Sequence, residues 1–141
     1  MPCGYTIDAG RRLVLGRGWQ DVTGTMLVEY SNALGRDPRF EPSFMQLFDF
    51  RRTFDLRLES HDVRTIAGVT PFGPGSRRVS LVATDLAFGL ARMYEMLRDE
   101  SGDALHVTRD LDDALLWLGI VQHKDAIVAA LAAPPDVTVG P

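Results

Sequence analysis

The residues Val79-Ser80-Leu81-Val82-Ala83-Thr84-Asp85-Leu86-Ala87-Phe88-Gly89-Leu90-Ala91-Arg92-Met93-Tyr94-Glu95-Met96-Leu97 pass from one structural period to another. Val79 to Ala83 is a short apolar run of the kind found in a strand covered on both faces. Thr84 or Asp85 then opens a helix, and Leu86, Leu90, Met93, Tyr94 and Leu97 recur at helical spacing on one face through to about Asp99. Ser101-Gly102-Asp103 stops it. The chain then repeats the passage: Leu105 and Val107 mark a strand, and Asp110, three residues before Asp113, caps a helix ending near Leu118.

The same alternation extends toward the N-terminus. Phe44 to Phe50 is an almost continuous apolar strand, and after a short extended piece from Asp55 to Leu58, Ser60 caps a helix from His61 to about Gly68. Asp21 or Thr23 caps an earlier helix in which Leu27, Tyr30, Ser31 and Leu34 share a face and Gly35 marks the stop. Gly4 to Asp8 and Leu13 to Trp19 read as a hairpin, with Gly10 supplying the positive φ of its turn. Gly16 and Gly18 weaken the second strand unless another group approaches its backbone closely. Past Gly119 a further helix is expected from Gln122 to Ala132, followed by the breaker Pro134-Pro135 and a loose tail.

Hairpin, helix and then three strand–helix units imply an α/β fold with a mixed, largely parallel sheet, covering helices and an N-terminal β-hairpin. The expected division is a domain over 1–119 with a C-terminal extension over 120–141. The chain has 141 residues, enough for one ordinary core. A formal charge of −4 gives no basic footprint for nucleic acid. Cys3 is the only cysteine, so an internal disulfide and a multi-cysteine metal site are excluded. No apolar run is long enough for a membrane span, and the opening Met1-Pro2-Cys3-Gly4-Tyr5 lacks a signal segment, so the expected location is cytoplasmic.

Right-handed crossovers would gather the strand C-terminal ends on one rim, where open α/β sheets bind ligands. Asp49, Arg51, Arg52, Ser60 and Asp85 are therefore the candidate interaction or anion site, with backbone N–H groups at a helix start and arginines to hold a negative charge. The alternative reading is that Ser60, Asp85 and Asp110 are ordinary helix caps and the arginines are solvated. Phe72-Gly73-Pro74-Gly75-Ser76-Arg77-Arg78 lacks the ending of a nucleotide loop and precedes a strand, so it reads as a turn with exposed arginines. His61, His106 and His123 have no metal-ligand spacing, and His106 faces the opposite side of its strand from Leu105 and Val107. Cys3 has no activating base, and no serine sits in a hydrolase elbow. No metal, cofactor or catalytic constellation is expected. Arg92, Met93, Tyr94 and Trp117 are candidates for lining an apolar pocket, with core packing the default reading of Tyr94 and Trp117.

The run Asp85 to Glu95, followed by Val107-Thr108-Arg109-Asp110-Leu111-Asp112-Asp113-Ala114-Leu115-Leu116-Trp117-Leu118, resembles uncharacterised bacterial STAS-like proteins. STAS is the fold of anti-sigma-factor antagonists, and these proteins are sometimes described as related to lipid-binding CRAL-TRIO domains. Leu47-Phe48-Asp49-Phe50-Arg51 is similar as well, and the likeness covers about residues 3 to 118. It implies a non-enzymatic regulatory or protein-interaction domain. In sigma-factor antagonists a serine at the start of the second helix accepts a phosphate that controls binding. Ser60 is the nearest match by position, but it stands in Glu59-Ser60-His61-Asp62 rather than the usual Asp-Ser-Ser-Gly-like setting. The alternative is a carrier or sensor of a small apolar or amphipathic ligand, held between the sheet and the helix of Met93 and Tyr94. The expected partners are thus a protein, a second copy of the chain as a homodimer, or a small ligand.

Overall fold

A computed structural model describes residues 3–140; Met1, Pro2 and Pro141, part of the expected terminal segments, lie outside the described residues. Strands β1 (Cys3–Asp8) and β2 (Leu13–Thr23) form the antiparallel hairpin. Its turn is made differently from the expectation. Arg12 rather than Gly10 takes the left-handed conformation, with φ 54°, and the Asp8 carboxylate accepts from the Arg11 backbone N–H at 3.1 Å and from its guanidinium at 2.5 Å. That local bonding offsets the cost of a positive φ in a residue with a Cβ.

Helix α1 (Gly24–Arg36) is capped by Thr23, whose hydroxyl accepts from Met26 N–H at 3.3 Å. It buries Leu27, Tyr30, Ser31 and Leu34, the expected face, and runs one residue past Gly35. β3 (Met45–Arg57) joins the two extended pieces into a single long strand. α2 (Ser60–Val69) follows, then β4 (Arg77–Leu81), α3 (Asp85–Arg98), β5 (Ala104–Thr108), α4 (Leu111–Leu118) and α5 (Lys124–Ala132). The tail does not trail loosely: β6 (Val137–Val139) pairs antiparallel with β1, Cys3 opposite Val139 and Tyr5 opposite Val137.

The six strands form one mixed sheet in the order β5-β4-β3-β2-β1-β6, with β2 through β5 all parallel. The strands that form within the expected Phe44–Phe50 and Val79–Ala83 segments, β3 and β4, therefore run the same way, although Phe44, Val82 and Ala83 lie outside them. Alternation along each strand sends side chains into two cores. Tyr5, Val14, Tyr30, Phe48, Phe72 and Ala87 meet beneath α1, α2 and α3. Leu13, Leu15, Leu47, Leu81 and Leu115 form the second core with Ile120, Ile127 and Leu131, so the segment after Gly119 packs on its own chain. Each such side chain contributes about 2 kcal/mol by leaving water.

Two details of helix and strand placement bear on the site. α3 is rotated from the expected stripe: Ala87, Leu90, Ala91 and Tyr94 turn toward the sheet, while Leu86 is 58% and Leu97 44% exposed. Thr84 caps the helix by accepting from Ala87 N–H at 3.1 Å, and the small Ala87 then lies against the core. At Gly16 a Cβ would stand 2.3 Å from the Tyr30 hydroxyl and 2.6 Å from the Phe48 ring. The glycine in β2 is thus the price of a close approach by Tyr30.

Candidate functional site

Register sets the rim. Asp49 pairs with Leu81, and Leu81 with Thr108, so these residues lie at one level across β3, β4 and β5. Apart from Arg52, the candidate charges there are closed in local pairs. Arg51 grips the Asp49 carboxylate through Nε and Nη2, both at 2.9 Å, and its backbone N–H donates to the same group. Asp85 accepts from Arg109 at 2.5 Å. Arg52 is exposed.

Ser60 lies further along the chain. β3 continues eight residues past Asp49, paired with β2 alone, before α2 begins. The N-cap of α2 is Glu59 and not Ser60, which is the exposed first residue of the helix. Glu59 and Asp62 form a reciprocal capping box, with Glu59 N–H donating to Asp62 at 2.8 Å. A carboxylate at Glu59 reaches the N3 N–H with a longer arm than a serine has, and Asp62 returns the bond.

The four expected lining residues are dispersed. Tyr94 stands on the wall of a partly open cavity, and Met93 is half-buried on the neighbouring face of α3. Arg92 is exposed and paired with Glu95 at 2.9 Å. Trp117 is on the other side of the sheet, where its ring stacks on His106 with centroids 5.2 Å apart and lies under the Arg77 guanidinium at 4.3 Å. His106 bonds Asp113 at 2.8 Å, which holds that carboxyl below its usual range.

The cavity, about 110 Å³, lies between the sheet and the layer of α1, α2 and α3. Phe48, Phe50, Leu56, Ile66, Leu90 and Ala91 give it an apolar wall. One end is polar. Arg78 alternates with Val79 along β4 and so turns toward this cavity; it is 5% exposed, contrary to the expectation of an exposed arginine. Its Nη1 donates to the Tyr94 hydroxyl at 2.7 Å, its Nη2 bonds Asp103, and its guanidinium lies 4.6 Å above the Phe72 ring. Arg98 also holds Asp103, at 3.0 and 3.1 Å. Burial pushes the Asp103 carboxyl up, but the bonds from Arg98 and the charge of Arg78 outweigh it and keep the pKa below 3.8. Arg78 Nε is buried and has no partner. Nearby, Tyr30 donates to Gln46 at 2.6 Å, and full burial raises its pKa well above 10.

Sequence reasoning passed over Arg78, Gln46 and Tyr30 as site residues. The signal available was strand alternation, which sets Arg78 opposite Val79 and Gln46 opposite Leu47. Among the described residues no cluster of three or more His, Cys, Asp or Glu side chains could hold a metal ion, and no helix is long and apolar enough to cross a membrane. Cys3 is buried, and desolvation with the nearby Glu29 raises its thiol to about 12.

A parallel core sheet with a hairpin at one side, three helices on one face and two on the other defines a STAS-like, or SpoIIAA-like, fold. The comparison with solved structures agrees: the chain is similar to an uncharacterized protein of the DUF3478 family with a SpoIIAA-like fold from Shewanella loihica PV-4, at 17% identity and a TM-score of 0.54, over 83% of this chain and 94% of that one. No protein-family profile matches the sequence, and no curated protein is detectably similar to it.

Proposed function

We propose that this chain is a non-enzymatic sensor or carrier domain for a small, mostly apolar molecule with one hydrogen-bond acceptor. The observation that supports this most is the cavity, apolar along its length and closed at one end by a buried arginine with an unused N–H. Ligand sites have this character: concave, mainly apolar, with a few polar groups that fix orientation. A cavity of roughly 150 Å³ admits a benzene ring, so 110 Å³ suits a body of similar or slightly smaller size. Arg78 and Arg98 face one carboxylate, Asp103, which leaves a formal excess of one positive charge at the polar end. A short or branched carboxylic acid fits that balance.

Native mass spectrometry of freshly purified protein and a thermal-shift panel of short-chain acids and alcohols test the proposal. A ligand at a hundred times its Kd stabilises by about 2.7 kcal/mol, several degrees in Tm. A bare polypeptide mass together with no shift across the panel would overturn it.

The interaction-domain reading retains one supporting observation, the exposure of Ser60 in the first turn of α2. Phosphate there would meet the acidic side chains of Glu59 and Asp62, whose capping box already uses the helix-start donors. Pull-downs with wild type and Ser60→Asp separate the two readings: a changed partner set supports a switch at Ser60, and identical partners at equal strength exclude it.

A further inference from the structure

A second cleft, about 150 Å³, lies on the opposite face of the sheet from the cavity, between the far part of β2 and β3 and the helices α4 and α5. Its composition is unusual for this acidic chain. Arg17, Arg51 and Arg52 line it with a single carboxylate, Asp49. Three guanidinium groups against one carboxylate leave a formal excess of two positive charges.

The backbone explains how they converge. Arg17 pairs with Asp49, but Trp19 pairs with Arg52, so β3 uses three steps where β2 uses two. The extra residue is a bulge, which re-aims side chains locally. Strict alternation would have sent Arg52 to the face opposite Asp49 and Arg51. The bulge brings it to the same cleft.

Arg17 is the second observation. It is 2% exposed, and no carboxylate touches it. Nη1 donates to the Leu15 carbonyl at 3.0 Å, and Nη2 to Thr6 Oγ1 at 3.1 Å and the Ala133 carbonyl at 3.0 Å. Ala133 caps the C-terminus of α5, so the helix dipole supplies partial negative charge there, about half an elementary charge at most. Nε has no partner at all. A guanidinium stays protonated even when buried, so uncompensated positive charge remains beneath the cleft. Asp49 is held by Arg51, and Asp136, the other carboxylate whose charge reaches Arg17, is paired with Arg39 at 3.2 Å.

We infer that this cleft is a binding site for a phosphate group, free or carried on a small organic ester. Arg52, exposed and without a hydrogen-bond partner among the described residues, supplies the direct contact. Arg51 contributes through its outer edge, and Arg17 supplies charge from the floor. Val128 and Leu131 offer an apolar shelf for the body of an ester. Two excess positive charges match a phosphate dianion better than a monocarboxylate.

The test uses the indole N–H resonances of the full chain, which has two tryptophans. Trp19 lines this cleft, and Trp117, which does not, is the internal control. Titrations with inorganic phosphate and with phenyl phosphate, at ionic strength held constant with chloride, should move the Trp19 resonance saturably and leave Trp117 in place. Response to both probes identifies a site for the bare anion; response to the ester alone identifies a phosphomonoester site, and either supports the inference. Arg52→Gln should weaken the titration about tenfold, the loss of one charge-assisted hydrogen bond. Val128→Glu, which sets a carboxylate at the half-exposed edge of the cleft, should weaken it as well, with the melting temperature of either variant close to wild type. Failure of both probes to move Trp19 beyond the chloride control, or an unchanged titration in Arg52→Gln, would overturn the inference.

Discussion

Arg78 is tolerated in the interior because every exposed direction of its guanidinium is answered except one. Asp103, with no side-chain exposure, neutralises it, Tyr94 accepts from it, and the Phe72 ring covers its face. A buried pair broken on one side leaves a stranded charge, which costs about 3–5 kcal/mol. Asp103→Ala, which strands Arg78 and Arg98 together, should therefore lower unfolding free energy by about that amount in urea titration. Arg92→Ala removes only an exposed pair with Glu95 and should change it by less than about 1 kcal/mol. The depressed carboxyls also give a pH dependence. Asp37, hydrogen-bonded by Arg39, falls to about 2, and Asp103 lies below 3.8. The unfolded chain takes up these protons first, so their contribution is fully present above about pH 4 and declines as pH falls through the folded values. Urea midpoints measured from pH 6 down to pH 2.5 should fall chiefly below pH 4. A flat profile there would contradict the pairing.

At the scale of elements, close packing at glycine and the covering of the sheet edge are the sensitive points. Gly16→Ala places a methyl against the Tyr30 hydroxyl and the Phe48 ring, both buried, and overpacking of this kind costs about 1–3 kcal/mol. Its melting temperature should fall, whereas Gly89→Ala, in mid-helix with nothing near its Cβ, should raise stability by about 0.5–1 kcal/mol. β6 closes the β1 edge of the sheet. Truncation after Pro135 should uncover it and increase self-association, measured by sedimentation at rising concentration, because an unpaired edge recruits other strands. Helices α1 and α4 were legible from caps and periodicity: Thr23, one of the two residues offered for the first cap, and Asp110 cap them. The rotation of α3 was not, because Leu86 and Ala87 both satisfy a helical stripe and only the sheet beneath selects between them.

For the whole molecule, alternation of strands and helices was sufficient to foresee a largely parallel sheet, and β2 to β5 follow it. Two features lay beyond that reading. The first bulge in β3 changes which face Arg52 occupies, and the continuation of β3 past Asp49 carries Ser60 away from that level; a bulge leaves no mark in hydrophobic period. The pairing of Val137–Val139 with β1 joins residues more than a hundred positions apart, and a three-residue strand has too little pattern to announce itself. The two pockets were legible only in fragments for the same reason: Tyr94 and Arg78 meet across different elements, as do Arg17 and Arg52. The account of function rests on whether the cavity beneath α1, α2 and α3 admits a molecule oriented by Arg78. Methyl-resolved NMR with isotope-labelled leucine and isoleucine, during titration with a short branched carboxylic acid, addresses this directly in wild type and in Ala91→Phe, whose ring would occupy the space. Saturable shifts at Leu56, Ile66 and Leu90 that vanish in Ala91→Phe, with Leu13 and Leu115 of the other core unmoved, are the predicted result; wild-type spectra unchanged across a panel of such acids and alcohols would contradict it.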